Sequence, residues 1–313
     1  MKDGLHQSLT ISVDGNKKEI ISSGGGCPVC RFRDKASRSV YDFGSVTIVR
    51  CSKCNVMHLS PMPDEESLAE IYNNNYYKDP NQEHGYFDYA SEEDAIKKTY
   101  ARRIGFFKRK LGRKMRCLNS FHEVGCALGI GLSEIKRIVG GNVSGSDISN
   151  DSKSACEEKG IDFFLSDSKG AHRNDGERKD AVFVFDVIEH LSDIPSFVSF
   201  LDDFINESGY LVVTTPNMKD ILNRILGSRS PSIKIPQHTI YFDTDTLCAA
   251  LESKFELIHQ GRDYQYISIS RLMERILHIF KINKSLSASC KIEILVPNGM
   301  SVYIFKKRDP SDG

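Results

Sequence analysis

From Phe121 to the end of the chain, short apolar runs alternate with helix-patterned stretches, and this alternation constrains the fold more than any other feature. Phe121–Ala127 (FHEVGCA) reads as a strand, Leu132–Val139 as a helix and Asn142–Ile148 as a second strand. Helix Ser152–Gly160 and strand Ile161–Leu165 follow. Asp180–Phe185 sets five apolar residues after one charge, the pattern of a strand buried on both faces. Helix Ile194–Ile205 then leads through Gly209 to strand Tyr210–Thr215. Such an order needs crossover helices, so it implies a parallel sheet with helices on both sides. Helix Thr244–Leu251, strand Phe255–Gln260, helix Ser270–Phe280 and strand Ser301–Lys306 complete the series.

The 313 residues suffice for one such domain of about 200 residues plus a smaller module. We divide the chain into a flexible leader over 1–26, a cysteine module over 27–60, a helical cap over 61–117 and a catalytic domain over 118–313. The leader ends in a Ser-Ser-Gly-Gly-Gly joint. In the cap, Asp64 precedes a helix over Glu65–Tyr72, and a second helix runs from Glu92 to Leu118. Between them lie Tyr76, Tyr77, Tyr86, Phe87 and Tyr89, suited to a lid over a ligand or to packing against the cysteine module. Lysine plus arginine equals aspartate plus glutamate at 42 each, which argues against a protein that coats nucleic acid. No run approaches the roughly 18 apolar residues of a membrane span, and the start lacks a secretory pattern. We therefore expect a cytoplasmic protein of open oligomeric state.

Nine cysteines is an odd number, and four of them form CxxC–x20–CxxC: Cys27, Cys30, Cys51 and Cys54. Each pair can pinch one ion in a tight turn, and two turns complete a tetrahedron. In a reducing compartment this spacing speaks for metal over buried free thiols or a redox pair. Four thiolates close the shell, so the expected zinc is structural. Nearby His58 reads as a surface residue.

The segment from Glu123 to Gly131 (EVGCALGIG) lies between a strand and a helix. Its small residues at 125, 127 and 129 let backbone press against a ligand, in a nucleotide enzyme of more than one kind. Asp147, about 20 residues on, ends the second strand, where a carboxylate can accept hydrogen bonds from ribose hydroxyls. The fourth strand ends in Asp186-Val187-Ile188-Glu189-His190-Leu191, and the fifth in Thr214-Thr215-Pro216-Asn217.

In order and spacing, EVGCALGIG, SGSDIS, FDVIEHL and LVVTTPN resemble the landmarks of class I S-adenosylmethionine-dependent methyltransferases. They look most like the EHL-bearing branch that includes ubiquinone-pathway O-methyltransferases. The CPVC…CSKC module with its tyrosine-rich segment is similar to bacterial methyltransferases of sugar, polysaccharide and natural-product pathways. The resemblance covers roughly residues 27–260. It implies an α/β, Rossmann-like, doubly wound seven-stranded sheet with an antiparallel last strand, a zinc ribbon and a helical cap. It also implies S-adenosylmethionine as cofactor, with Glu123 near the methionyl ammonium and Gly125, Ala127 and Gly129 against the ligand. Many relatives have glycine where Ala127 stands. Asp147 would hold the ribose, Ser166 or Asp167 would lie near the adenine, and Asp186 near the methionine end. The plainer alternative makes Glu123 and Asp186 solvated strand-end carboxylates.

A sulfonium methyl is an electrophile, so catalysis is chiefly alignment, and an alcohol acceptor also needs a base. His190 and His238 are the candidates; the first could instead cap or brace its loop, and the second could be an ordinary core histidine. In ubiquinone-type relatives the EHL region is associated with a divalent cation, which would put magnesium on Asp186, Glu189 and His190. Ten basic residues and no acidic one fall between Lys97 and Arg116, as a solvated helix face or as a grip on a phosphate-bearing acceptor. The expected activity is methyl transfer to a small molecule or sugar, at oxygen. The alternatives are an RNA-modifying methyltransferase, a non-catalytic scaffold and a dehydrogenase; neutral charge and the lack of an NPPY-like motif count against the first.

Overall fold

A computed structural model describes residues 7–13, 16–23, 26–33, 37–64, 92–167, 176–279 and 292–309. The helix expected over 65–72 and the aromatic segment after it lie outside these residues. The catalytic region is built on a seven-stranded sheet. Its first four strands are β7 (Ser120–Val124), β8 (Asn142–Asp147), β9 (Asp162–Leu165) and β10 (Lys179–Phe185). β11 (Ile205–Pro216), β13 (Phe255–Ser268) and β14 (Glu293–Lys307) complete it, in the order β13-β14-β11-β10-β7-β8-β9. The five strands from β9 to β11 pair in parallel, and β14 inserts antiparallel between β11 and β13. The α/β doubly wound sheet and its reversed last strand are as the sequence led us to expect.

β10 shows why the sheet sits where it does. Ala181, Phe183 and Phe185 point to one face and Val182 and Val184 to the other, and all five are buried. On the first face they meet α1 (Glu93–Leu111) and α2 (Ile130–Val139), with Phe107 edge-on to Phe183 at 5.3 Å. On the second they meet α4 (Ile194–Phe204) and α6 (Thr244–Leu251). α3 (Asn150–Glu158) links β8 to β9, α5 (Ile221–Leu226) follows β11, and α7 (Ile269–Ile279) joins β13 to β14.

α1 carries Ala95, Thr99, Arg103, Ile104, Phe107 and Leu111 on its buried face, successive turns of the helix each supplying one or two. Glu93 and Asp94 open it and Lys108, Arg109 and Lys110 close it, matching the helix dipole. Gly112, at φ 55°, ends it. The basic run is therefore not one solvated face. Arg103 points into the core at 3% exposure, while Lys97 pairs with Glu93, Lys98 with Glu293, and Arg102 lies over Tyr264.

Upstream, the residues read as a leader hold a hairpin, β1 (Gln7–Val13) and β2 (Asn16–Ser23). Ser22 and Ser23 pair with β6 (Met62–Pro63) beyond the cysteine module. The module is an antiparallel sheet of β3 (Arg38–Asp42), β4 (Thr47–Arg50) and β5 (Met57–Ser60). Its fourth strand, β12 (Ile240–Tyr241), is supplied from far along the chain by the loop after β11. No helix among the described residues is long and apolar enough to cross a membrane.

Candidate active site

The two CxxC turns have the same local build. Cys27 N–H donates to Phe32 O and Arg31 N–H to Cys27 O; Cys51 N–H donates to Val56 O and Asn55 N–H to Cys51 O. Arg31 (φ 56°) and Asn55 (φ 60°) take the left-handed conformation that closes each turn. The Sγ atoms of Cys27 and Cys54 are 3.6 Å apart, as are those of Cys30 and Cys51, and all four lie within 4.8 Å of one another. Sulfurs about 2.3 Å from a common centre stand about 3.8 Å apart at tetrahedral angles, so the four thiols fit one zinc-sized ion. His58, expected at the surface, is instead buried at 7% exposure, with Nδ1 2.8 Å from Leu59 O. As a residue of β5 it sits opposite Ile240, inside the joint between module and catalytic region.

At the carboxyl edge of the sheet, β7 ends in Glu123 and Val124, and the chain turns through Gly125 (φ 73°), Ala127 (φ 47°) and Gly129 (φ 74°) into α2. The glycines serve the chain's own packing. A methyl group on Gly125 would strike Val187, one on Gly129 would come within 3.1 Å of Cys156 Sγ, and one on Gly131 would collide with the Glu123 carboxylate. Ala127 holds a conformation that favours glycine, while its amide donates to Asp147 Oδ2 at 2.9 Å. Asp147 Oδ1 accepts from Ser149 N–H at 2.9 Å, so this carboxylate ties the turn to the start of α3. Ser166, half-buried, donates its amide to Asp147 O, and Asp167 is exposed just beyond β9.

Glu123 is not the solvated strand end of the plainer reading. It is fully buried, and neither carboxylate oxygen has a hydrogen-bond partner. Burial pushes its pKa well above the usual carboxylate range, with the nearby positive charge of Arg103 working against that rise. A buried polar group without partners is costly, and native structures keep few of them. Asp186 (φ 59°) is engaged: it accepts from Arg103 Nη1 at 2.9 Å and from Thr214 Oγ1 at 2.6 Å. Arg103 also donates to Asp263 from Nε and Nη2, at 3.0 and 2.8 Å, and lies over the rings of Tyr100 and Phe185. In the sequence Arg103 stood only as one cation of the basic run on α1. The available signal was a cation on the apolar stripe of α1, three residues after Tyr100 and four before Phe107.

Beyond β10, Glu189, His190 and His238 come together, with one ligand-type atom of each within 4.8 Å of the others. His190 Nδ1 meets Gln237 O at 2.9 Å and His238 Nδ1 meets Ser232 O at 2.8 Å. A carbonyl accepts only, so both imidazoles carry a proton on Nδ1, and the His190 ring also faces the backbone of Asp186. The rings meet edge to face, with centroids 4.7 Å apart. Burial holds His190 down at about 4 and His238 well below the ordinary histidine value, so both are neutral at pH 7. Burial, and next the neighbouring Asp186, push Glu189 up to about 8, and its Oε2 accepts from Thr215 Oγ1 at 3.0 Å. Thr239 fixes the loop by donating its amide to Glu189 O and its hydroxyl to Leu191 O. Sequence spacing could not bring His190 and His238 together, since 47 residues separate Gln237 from the histidine it binds.

A parallel sheet with one reversed strand, a glycine turn after the first strand and carboxylates closing the first, second and fourth make a Rossmann-like fold with a ligand-facing carboxyl edge. A family model described as a methyltransferase domain matches residues 89–260, more than half of the chain. The chain belongs to that family and is an S-adenosylmethionine-dependent methyltransferase. No curated protein sequence matches it. Among solved structures it is similar to magnesium protoporphyrin IX methyltransferase from Synechocystis PCC 6803 with bound SAH, at 12% identity and TM-score 0.49, over 78% of this chain and 100% of that one. It is also similar to coclaurine N-methyltransferase bound to N-methylheliamine and SAH, at 14% identity and TM-score 0.44, over 77% and 78% of the two chains. The YcgJ protein of Bacillus subtilis aligns at 13% identity and TM-score 0.43, over 64% of this chain and 98% of that one.

Proposed function

We propose that the protein transfers a methyl group to an oxygen of a small molecule or sugar, with S-adenosylmethionine held against the β7–α2 turn. The observation that carries this reading is Glu123: a buried carboxylate with two unpartnered oxygens at the end of the first strand calls for a cation. The methionyl ammonium supplies one. Gly131 is the residue whose lack of a side chain leaves Glu123 its seat. Arg103, beside Asp186, would meet the methionyl carboxylate, and Asp147 would hold the ribose while it braces the turn. Gly125, Ala127 and Gly129 would shape the wall, with Ser166 and Asp167 on the adenine side. When bound, the cofactor supplies a methyl group electrophilic enough to be taken in line by an oxygen nucleophile.

The chain's own contribution is then position and a proton acceptor. His190 and His238 are neutral, and we assign the acceptor's proton to this pair, with His238 nearest the task. Glu189 lies beside them, held by the Thr215 hydroxyl. Magnesium has no part in this reading. Both oxygens of Asp186 are engaged by Arg103 and Thr214, and the remaining cluster offers two imidazoles, donors that magnesium does not favour. Lys234, whose charge lowers both histidines, makes the same place unfavourable for any dication. Zinc, held by Cys27, Cys30, Cys51 and Cys54, would be structural, and thiols kept reduced for it suit the cytoplasm. The domain limits at 26, 60 and 117 are carried as part of the same reading.

Equilibrium binding of S-adenosylhomocysteine to the wild type and to Glu123→Gln tests the proposal. The amide should weaken binding by at least about tenfold, because it removes the charge that meets the ammonium. Equal affinities would sink the assignment.

A further inference from the structure

Arg103 is held by more than its charge requires. Its Nη1 reaches Asp186 at 2.9 Å, and that one carboxylate already matches the guanidinium's charge. A second buried carboxylate, Asp263, takes another edge: Nε and Nη2 both donate to its Oδ2, at 3.0 and 2.8 Å. Burying a further ion carries a desolvation cost that charge pairing alone does not call for. What the second carboxylate adds is direction. A planar guanidinium gripped along one edge cannot turn, so the direction of its remaining N–H bonds is set.

The strands explain how Asp263 comes to be there. β13 and β14 lose step at this point: Arg262 pairs with Ser301 and Tyr264 with Pro297, so Asn298, Gly299 and Met300 stand opposite Asp263 alone. Bulges of this kind re-aim side chains beside active sites. Here Asn298 Nδ2 donates to Asp263 Oδ2 at 3.0 Å, while Asn298 Oδ1 accepts the Met300 amide at 3.1 Å. Gly299 O accepts the Asn217 amide at 3.0 Å and Asn223 Nδ2 at 2.7 Å, which ties the bulge to the end of β11. Asp263 is thus fixed from its own hairpin as well as from α1.

The guanidinium that it holds stands over the ligand edge. Tyr100, one turn earlier on α1, lies against Arg103. A methyl group on Gly131 would strike both Tyr100 and the Glu123 carboxylate, so these two flank one point at the start of α2. Asp186 closes β10, the neighbour of β7. Arg103 therefore lies beside the strand ends that carry Glu123 and Asp186, the region assigned above to the methionine end of the cofactor.

We propose that Asp263, set in the β13–β14 bulge and steadied by Asn298, is a positioning residue that aims Arg103 at the methionyl carboxylate of the cofactor. The hairpin that ends the sheet then takes part in reading the amino-acid end of the ligand. This rests on the role given to Arg103 above and deepens it.

The test titrates the full chain calorimetrically with S-adenosylmethionine and with its decarboxylated form, which keeps the ammonium and the sulfonium and lacks only the carboxylate. We expect the wild type to prefer the first ligand. Asp263→Ala should weaken it at least about tenfold and leave the decarboxylated form within about twofold of wild type. Asp263→Asn, which keeps an acceptor oxygen in place, should recover most of the loss. A purely structural Asp263 would weaken both ligands alike, and that result would overturn the proposal. Unchanged or tighter S-adenosylmethionine binding in Asp263→Ala would overturn it too, as would a wild type indifferent to the carboxylate. Should Asp263→Ala fail to fold, Asn298→Ala decides by the same comparison: a loss of about threefold or more for S-adenosylmethionine alone supports the proposal, and equal affinities overturn it. A wild type that binds neither ligand would sink the cofactor reading itself, whereas normal wild-type binding with an unresponsive Asp263→Ala would sink this inference alone.

Discussion

Glu123 shows how a single residue can oppose the fold that carries it. Folding takes its carboxylate out of water without giving it a partner, so the folded state prefers the protonated form. Glu189 behaves alike, with its pKa near 8. The sign follows from proton linkage. Between the ordinary carboxylate pKa and the raised one, the native state binds more protons than the unfolded chain, so stability falls as pH rises. We therefore expect cofactor-free protein to be more stable towards urea at about pH 6 than at about pH 9, and Glu189→Gln to flatten that slope. A stability that climbs over this range would contradict the assignment. The histidines make the opposite kind of statement. Nitrogen-15 spectra of His190 should report a neutral, Nδ1-protonated ring down to about pH 5, since burial holds its pKa near 4. Once an acceptor is in hand, His238→Ala should lower turnover by about 10²–10⁴-fold with cofactor affinity intact. Loss of affinity instead would make it a cofactor residue.

At the scale of elements, β12 is the piece on which two halves of the molecule depend. Two residues, Ile240 and Tyr241, complete the sheet of the cysteine module, and Thr239 just before them holds Glu189 and Leu191. Pro28 O accepts the Ile194 amide, and Arg31 pairs with Asp193 at 2.9 Å, so the first CxxC turn also grips the start of α4. Metal loss should therefore be felt in the active-site loop. Chelation, or Cys51→Ser, is expected to speed amide exchange across 237–242 by more than about tenfold and to lower the melting temperature, while S-adenosylhomocysteine still binds. Exchange unchanged in that loop would show that the module is only attached, not coupled. Most elements of the sheet were legible because buried strands and amphipathic helices write their periods into the chain, as β10 and α4 do. β12 was not: two residues have no period. The hairpin β1–β2 was hidden by its short, polar alternation, and β13 and β14 run past their expected ends because the outer part of that hairpin leaves the apolar core. Arg103 was counted with nine neighbours as surface charge, although its place on the apolar face of α1 marked it out.

For the molecule as a whole, the sheet order brings the ends of β7, β8 and β10 to one edge, and with them Glu123, Asp147 and Asp186. Motif spacing in the sequence anticipated that edge, because each landmark closes a strand. It could not anticipate the opposite wall, where α1 and the loop after β11 bring Arg103 and His238 from distant positions. Tertiary contacts alone assemble that wall. The account stands or falls on whether the edge between them holds an adenosyl ligand. Calorimetric titration of the purified protein with S-adenosylhomocysteine, beside a matched titration with NAD, measures this most directly. The account predicts one saturable site per chain for the first ligand and no heat from the second. Silence towards S-adenosylhomocysteine at millimolar concentration, or saturable binding of NAD in its place, would contradict it.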